Sequence, residues 1–273
     1  MPGGAAAHGA PIAGIGALPP NTASGVAGVE ERLRWVRDRI AHAAERTGRD
    51  PASVTLIGVT KGVEAARVQA AVAAGLRDLG ENRVQEALPK IAAVAPGPRW
   101  HLIGHLQRNK AQMAVRAFAV IHSIDGLRIT EAVDRAAGAL GRQVPVLIEV
   151  NVAGEATKYG CAPSAADALL RAIRGCRHLT SIGLMTVAPQ VEDPEAVRPI
   201  FRQLRALRDR LQATVAGEAF RELSMGMTND FEVAIDEGST MVRIGRAIFG
   251  ERAPAATGEA SIQGGEERAG GVR

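Results

Sequence analysis

Aromatic residues and cysteines are scarce in this 273-residue chain, and long apolar runs are absent. Aromatic side chains make up 3% of the residues, so the core must be mostly aliphatic. The two cysteines, Cys161 and Cys176, form neither a disulfide framework nor a pairwise metal motif, and we interpret them as reduced structural thiols. No segment approaches the roughly 18 to 20 consecutive apolar residues of a membrane span, and no charged stretch precedes an apolar one at the N-terminus. These absences predict a soluble protein that stays in the cytoplasm.

The excess of positive over negative charge is also small. The formal net charge of +4 is small beside the basic surfaces that neutralise many phosphates, so it does not indicate a nucleic-acid-binding protein. The arginine-rich stretch 198–210 leaves such a module as an alternative, although an exposed helix face carries the same residues. Lysine is rarer still, because 29 of the 33 basic residues are arginines and only four are lysines: Lys61, Lys90, Lys110 and Lys158. Each lysine therefore invites the question of whether its amine is used chemically.

The chain divides into two tails and one domain. Residues 1–26 and 253–273 are rich in Gly, Ala and Pro without a sustained period, and we predict that both are disordered. Residues 27–252 begin with an amphipathic helix at 28–48 and then alternate short β-type runs with helical stretches. The predicted strands are 54–60, 77–80, 100–104, 119–122, 145–151, 180–186, 222–226 and 241–245. The predicted connecting helices are 64–74, 84–94, 108–116, 126–140, 163–175, 193–213 and 229–237, with Asp125 and Ser164 as caps.

Eight strands joined by seven helices predict the fold class α/β, as a single-domain (β/α)8 TIM barrel with an extra N-terminal helix. Continuously apolar strands such as VPVLIEV suit a parallel sheet that is covered on both faces, and the domain has the size of a closed barrel. An open doubly wound sheet is the alternative. No G-x-G-x-x-G follows the first strand, where a dinucleotide-binding fold would place it, and this favours the barrel.

A barrel of this kind carries its active groups at the C-terminal ends of its strands. Lys61 ends the first predicted strand, on the same side as Ile57 and Val59, so its amine would point to the barrel mouth. Such an amine can form a Schiff base with an aldehyde or ketone. A solvated lysine at the start of the next loop is the alternative interpretation.

The loops after the last two strands predict an anion site. Gly245 follows a strand and precedes a short helix-like stretch, so the backbone N–H groups of Gly245 and Arg246 could hold an anion. The preceding loop contributes small and hydroxyl residues at Ser224, Gly226 and Thr228. Ordinary glycine-rich turns would have the same composition, so the pattern alone leaves both interpretations open.

Arg243 lies inside an apolar strand, and a buried guanidinium needs an acceptor. We expect either an ion pair with Glu149 or Glu81 or a ligand in the mouth. Further polar residues at strand ends could line that mouth; they are Glu81, Asn82, His101, His105, His122, Ser123, Glu149 and Asn151. The histidines are spread over separate strand ends, which argues against a compact metal site.

Long motifs in one order resemble the pyridoxal 5′-phosphate homeostasis protein family, a group of single-barrel relatives of the alanine racemase N-terminal domain. The resemblance covers about residues 29–252. Its motifs are GVTKGV around Lys61, DLGENRVQEALPK from Asp78, WHLIGHLQRNK from Trp100, LIEVNVAGEATKYG from Leu147, GLMTV from Gly183, and LSMGMTNDFEVAIDEGSTMVRIGRAIFG from Leu223.

The resemblance implies a cofactor, pyridoxal 5′-phosphate, and a role for each matching residue. Lys61 would form the Schiff base with the aldehyde, and Arg243 would face the pyridine nitrogen. Ser224, Thr228, Gly245 and Arg246 would surround the phosphate. From its place at a strand end, we add Asn82 to the residues expected to bind the cofactor. Two positions depart from the family pattern: Arg246 stands where Ser or Thr is frequent, which removes a hydroxyl contact, and Leu102 stands where Phe is familiar.

The function that the resemblance implies is the holding and release of this cofactor in intracellular vitamin B6 homeostasis. An arginine beside the pyridine nitrogen weakens the ring as an electron sink, and no second acid or base is evident, so we expect no efficient catalysis and assign no catalytic residue. A racemase of this fold uses a second domain that brings a tyrosine, whereas the single tyrosine here is Tyr159. An amino-acid racemase or a Schiff-base aldolase is the alternative. We expect no metal, nucleic acid or membrane partner, a monomeric state, and apo-enzymes that use the cofactor as candidate partners.

Overall fold

The computed structural model of the chain describes residues 26–250. The tails predicted to be disordered lie outside the described residues, apart from Val26, so the tail boundaries and the domain limits 27–252 stay predictions.

Eight parallel strands close into a barrel in which each strand pairs with the next and β8 pairs with β1. The strands are β1 (Thr55–Val59), β2 (Asp78–Glu81), β3 (Arg99–Leu102), β4 (Val120–Ile124), β5 (Val144–Glu149), β6 (Leu179–Met185), β7 (Glu222–Ser224) and β8 (Met241–Ile244). The predicted (β/α)8 TIM barrel is therefore confirmed.

Helices alternate with these strands and follow the predicted order. They are α1 (Ala27–Arg46), α2 (Ala65–Ala73), α3 (Val84–Ala93), α4 (Ala111–Ala117), α5 (Leu127–Ala139), α6 (Ala166–Arg174), α7 (Arg198–Leu211), α8 (Phe231–Asp236) and α9 (Arg246–Phe249). The extra N-terminal helix is confirmed as α1, whose buried stripe contains Val29, Leu33, Val36, Ile40 and Ala43. Within residues 26–250, no helix is both long and apolar enough to cross a bilayer.

Both predicted helix caps are wrong. Helix α5 begins after Gly126 without a side-chain cap, while the Asp125 carboxylate lies 3.2 Å from His105 Nδ1. Ser164 lies inside a short 3-10 turn at Pro163–Ala165, which precedes α6. In both places the polar residue lies one position before the N-cap of the helix, and composition alone does not locate a helix end that finely.

The outward faces of the strands pack against the helices in an aliphatic layer. Gly58 shows how close this packing is, because a Cβ added there would lie 2.4 Å from Leu76 Cδ2. Every second residue points instead into the barrel. Part of that interior is apolar and contains Ile57, Val120, Leu147, Met185 and Met241. Burying each such side chain stabilises the fold by about 1.5–3 kcal/mol.

The remaining part of the barrel interior is polar. Five of its side chains, each less than a tenth exposed, come from β2, β3, β4, β7 and β8: Asp78, His101, His122, Ser224 and Arg243. A polar group inside a barrel is tolerated only where it is hydrogen-bonded, so this half of the interior needs a continuous set of partners.

Candidate cofactor site at the barrel mouth

A cavity of about 400 Å³ opens at the C-terminal ends of β1, β6, β7 and β8. Its walls come from the end of β1, the loop after β6, the loop after β7 and the end of β8. The lining residues are Val59, Pro189, Gln190, Val191, Pro194, Met227, Thr228, Asn229, Asp230, Arg243, Gly245 and Arg246. Barrels commonly bind phosphate with the loops after strands seven and eight and a short extra helix, and α9 is such a helix.

The loop after β7 is held in a tight turn. Gly226 has a φ of 95°, and its carbonyl accepts a hydrogen bond of 3.0 Å from the Arg243 N–H. The Asp230 carboxylate accepts a bond of 2.5 Å from the Met227 N–H, which closes the turn. The turn places Thr228, which is half-buried, on the cavity wall.

The end of β8 brings backbone to the cavity wall. A Cβ added at Gly245 would lie 3.2 Å from the Val59 carbonyl oxygen, so the absence of a side chain allows β8 to approach β1 closely here. Helix α9 begins at Arg246, and the first N–H groups of a helix lack intrahelical acceptors. The Arg246 side chain is exposed and donates a bond of 3.4 Å to Asn229 Oδ1.

Arg243 is the buried cation of the site. Its Nη1 donates to the carbonyl and the hydroxyl of Ser224, each at 2.7 Å, and its Nη2 donates to the Thr186 carbonyl at 2.8 Å. Burial lowers the pKa of Arg243 to about 10, against the opposing charges of Glu149 and Asp230, so the guanidinium stays protonated at neutral pH. Of the two alternatives for Arg243, the ion pair with Glu149 or Glu81 is wrong, since the direct acceptors are neutral oxygens, and the ligand in the mouth stays a prediction.

Ser224 continues the contacts of Arg243 into the barrel. Its Oγ lies 3.0 Å from His122 Nδ1, His122 Nε2 lies 2.9 Å from His101 Nδ1, and His101 Nε2 lies 2.9 Å from Asp78 Oδ1. Burial holds the pKa of His122 well below its ordinary value, and the charge of Arg243, like any proton gained by His101, acts in the same direction. His101 and His122 thus lie inside the barrel, below the mouth that the sequence assigns to them.

Glu149 is a buried acid at the end of β5. Burial raises its pKa to about 7, the Asp125 carboxylate adds to the effect, and Arg243 opposes it. Its Oε2 and the Ser123 Oγ have no hydrogen-bond partner among the described residues. The folded protein therefore favours the protonated carboxyl of Glu149.

Lys61 and Asn82 follow the neighbouring strands β1 and β2 and are both half-buried. Neither lines the cavity, although Val59 does and Lys61 follows it by two residues. No salt bridge to Lys61 occurs among the described residues, whereas Lys90 pairs with Glu81 and Lys158 pairs with Glu155.

The expectation that Glu81 faces the mouth is wrong. Its Oε1 lies 2.5 Å from Lys90 Nζ on α3 and accepts a bond of 2.6 Å from the Thr60 hydroxyl, so it points out of the barrel. His105 is also apart from the cavity: it is exposed, and its ring stacks on Tyr159 with centroids 3.8 Å apart.

The structure thus brings five of the seven predicted site residues together. Thr228, Arg243, Gly245 and Arg246 line the cavity, and Ser224 bonds directly to Arg243. Sequence analysis missed the wall formed by Pro189, Gln190, Val191 and Pro194. The rule that active groups lie at the C-terminal ends of barrel strands (the strand-end rule) could have found it, because this loop follows the predicted strand 180–186.

These donors fit a ligand that is anionic at one end and carries a hydrogen-bond acceptor at the other. Gly245 and Arg246 line the cavity at the start of α9, where the first backbone N–H groups lack intrahelical acceptors and can hold an anion. A guanidinium has five N–H donors, and the three bonds of Arg243 leave two of them for an acceptor in the cavity that it lines.

Comparisons with known proteins agree with this geometry. Residues 33–253 match the family model described as "Alanine racemase, N-terminal domain". The chain is 44% identical over 223 residues to the pyridoxal phosphate homeostasis protein of Aquifex aeolicus, covering 81% of this chain and 97% of the relative. A structure of PipY from Synechococcus elongatus with PLP bound is 36% identical, with a TM-score of 0.72 over 81% of this chain and 100% of that chain. An alanine racemase from Clostridium difficile shares the fold, with 15% identity, a TM-score of 0.63, and 82% of this chain and 58% of that chain covered.

Proposed function

The chain belongs to the alanine racemase N-terminal domain family and, within it, to the pyridoxal phosphate homeostasis proteins, and on that premise we propose that it binds, holds and releases pyridoxal 5′-phosphate. This activity would buffer a reactive aldehyde and serve vitamin B6 homeostasis. The name of the Aquifex relative and the PLP-bound structure of PipY support the cofactor.

The observation that carries the proposal is the convergence of a buried cation, backbone donors and a hydroxyl on one cavity. Gly245, Arg246 and Thr228 would hold the phosphate, and Arg243 would donate to the ring nitrogen. Charge-assisted hydrogen bonds of this kind are the stronger ones in proteins, so few of them suffice to orient a small ligand.

Ser224 has a different role in this proposal from the one that the resemblance implies. Its hydroxyl already contacts Arg243 and His122, and the residue is fully buried. We therefore assign Ser224 to the orientation of Arg243 rather than to direct contact with phosphate.

Lys61 would hold the cofactor covalently. The bound cofactor supplies an aldehyde, with which a primary amine forms a carbon–nitrogen double bond and releases one water. Lys61 follows β1, whose end lines the cavity, and it carries no salt bridge to a described residue that would engage its amine. Asn82, at the end of the adjacent strand, would contact the ligand from the same side.

We further propose that the protein is a carrier rather than an efficient enzyme. Arg243 remains a charged donor, so it would keep the ring nitrogen unprotonated and the ring a weak electron acceptor. The single tyrosine, Tyr159, stacks on His105 and does not line the cavity. Delivery to apo-enzymes, a monomeric state and a cytoplasmic location stay predictions from the sequence.

An absorption spectrum before and after borohydride reduction, followed by peptide mapping, tests the proposed linkage. We expect Lys61→Ala to abolish the label that borohydride fixes, with the fold retained by circular dichroism. Lys110→Ala is the matched control, since Lys110 is also half-buried and outside the salt bridges of the described residues. Full labelling of the Lys61→Ala protein, or label at Lys158, would contradict the assignment.

A further inference from the structure

A continuous hydrogen-bonded chain crosses the barrel beneath the cavity. It runs from Arg243 through Ser224, His122 and His101 to Asp78, with contacts of 2.7, 3.0, 2.9 and 2.9 Å. Its members come from β8, β7, β4, β3 and β2. The far end meets Arg99, which is more than half exposed and donates to the same Asp78 oxygen at 2.8 Å. This hydrogen-bonded chain therefore links the cavity to the opposite end of the barrel.

The two ends fix the direction of every bond in the chain. A guanidinium can only donate, and an ionised carboxylate can only accept. Burial favours a raised pKa for Asp78, but the hydrogen bonds from His101 and Arg99 outweigh it and lower the pKa, so this carboxylate is ionised at neutral pH.

The three middle groups then have one consistent arrangement. His101 donates from Nε2 to Asp78, so in the neutral ring its Nδ1 accepts from His122 Nε2–H. The bare Nδ1 of His122 accepts from the Ser224 hydroxyl, whose oxygen accepts from Arg243. In the reverse arrangement His122 would donate to Ser224, whose hydroxyl hydrogen would lack an acceptor among these contacts.

We propose that this directional chain holds the guanidinium of Arg243 in place for the ring of a bound pyridoxal compound, which makes Asp78, His101 and His122 positioning residues although none of them lines the cavity. The inference rests on the proposed function for its ligand. The structural basis is independent of it, because the contacts and their direction follow from the protein alone.

Filling the barrel does not require these polar residues. The other half of the same interior is filled by aliphatic and thioether side chains such as Ile57, Leu147 and Met185. Buried polar groups are costly unless they are paired, so a row of hydrogen-bonded polar groups that ends at a guanidinium on the cavity wall is better explained by orientation of Arg243.

The direction of the chain can be measured on the unmodified full-length protein. Nitrogen-15 NMR of the imidazole rings distinguishes the two neutral tautomers and the protonated ring. From the direction of the hydrogen bonds we expect each of the two rings to carry its hydrogen on Nε2 and to leave Nδ1 bare. A hydrogen on Nδ1 of either ring, or a protonated His122, would overturn the directional chain.

A pair of nearly isosteric variants tests the positioning role. Asp78→Asn keeps an acceptor oxygen for His101, while Asp78→Leu keeps the volume but removes the acceptor. We expect Asp78→Leu to raise the Kd of pyridoxal phosphate and of unphosphorylated pyridoxal alike by about fivefold, the effect of roughly one hydrogen bond. Asp78→Asn and the control Arg77→Gln, an exposed residue whose side chain is outside the hydrogen-bonded chain, should stay within about twofold.

The outcomes separate the two proposals. If Asp78→Leu and Asp78→Asn lower the thermal midpoint but leave both Kd values and the His122 tautomer unchanged, Asp78 is structural only and the positioning role is wrong. If the unmodified protein binds neither pyridoxal compound, the proposed function fails as well as the positioning role. If the unmodified protein binds both compounds and both Asp78 variants bind them with the same Kd as the unmodified protein, the positioning role alone is overturned.

Discussion

Gly245 is the residue at which the absence of a side chain matters most for the proposed ligand. A Cβ there would come within 3.2 Å of the Val59 carbonyl oxygen, so a branched side chain would push the end of β8 away from Val59, and both residues line the cavity. Gly245→Val should therefore weaken pyridoxal phosphate binding by about tenfold or more, because charge-assisted backbone hydrogen bonds are lost. Unphosphorylated pyridoxal should lose much less, and isothermal titration of both ligands measures the difference.

The control for this substitution is Gly126→Val. Gly126 has an extended backbone with a φ of −176°, and nothing lies within 4 Å of a Cβ built there. Both ligands should bind this variant normally. Equal weakening of the two ligands by Gly245→Val would place the phosphate elsewhere.

Glu149 gives the protein a predictable dependence of stability on pH. Its folded pKa of about 7 lies above the ordinary value of 4.5, so the folded state favours the protonated carboxyl. The stability that this preference contributes is fully present below about pH 4.5 and is lost as the pH rises through about 7, an effect on the order of 3 kcal/mol. Glu149→Gln cannot ionise and should escape that loss.

Urea unfolding of both proteins at pH 5 and pH 8 measures the effect. The free energy of unfolding of Glu149→Gln, minus that of the unmodified protein, should increase between the two pH values. Other titrating groups cancel in this difference, since both proteins carry them. A difference that is independent of pH would show that Glu149 ionises normally in the folded protein.

At the scale of elements, α1 is an addition to the eight βα units, and it packs against α2, α8 and α9. Leu33 is fully buried in this interface. Leu33→Ala should lower the free energy of unfolding by about 2–5 kcal/mol through lost burial and a residual cavity. Thermal denaturation measures it, with the exposed Glu31→Ala on the same helix as control and an expected change within about 0.5 kcal/mol. Equal effects of the two substitutions would mean that α1 does not depend on this packing.

Hydrophobic pattern was enough to predict the order and kind of the elements, because strands buried on both faces and amphipathic helices leave clear signals. The pattern did not predict which polar groups pair. Ser224 and His122 are 102 positions apart, and their contact depends on the register of the closed barrel rather than on any local signal. Glu81 shows the same limit. Strand β2 ends one residue later than predicted, at Glu81, and the alternation of side chains along the strand then directs Glu81 outward to Lys90.

For the candidate site, too, the positions of residues were predictable from the sequence, whereas their hydrogen-bond partners were not. Gly245, Thr228 and Arg243 could be assigned to one mouth from the strand-end rule, because parallel strands bring their C-terminal ends to one face. The partners of Arg243 could not, because a backbone carbonyl such as that of Thr186 carries no sequence signal.

At the scale of the whole molecule, a carrier releases the cofactor from the cavity, whereas an enzyme keeps the cofactor and releases a reaction product. We expect negligible racemisation of alanine and other common amino acids, together with measurable transfer of bound pyridoxal phosphate to an apo-enzyme in trans. Chiral chromatography and recovery of apo-enzyme activity measure the two. Turnover within the usual range of about 1 to 1000 per second would overturn the carrier proposal. Cofactor that never leaves would also contradict it.

The polar half of the barrel interior also bears on how the chain folds. A partly folded intermediate that has assembled β1–β4 would hold Asp78, His101 and His122, but Ser224 and Arg243 would still be absent from it. Such a half-barrel would have to bury an imidazole nitrogen without its acceptor or donor, or leave the interior open to water. The polar interior thus destabilises a partly closed barrel. It favours a cooperative folding transition in which the backbone amides of the early and the late strands become protected from hydrogen exchange together. Hydrogen exchange in β4 and β8 should accordingly proceed through one shared opening.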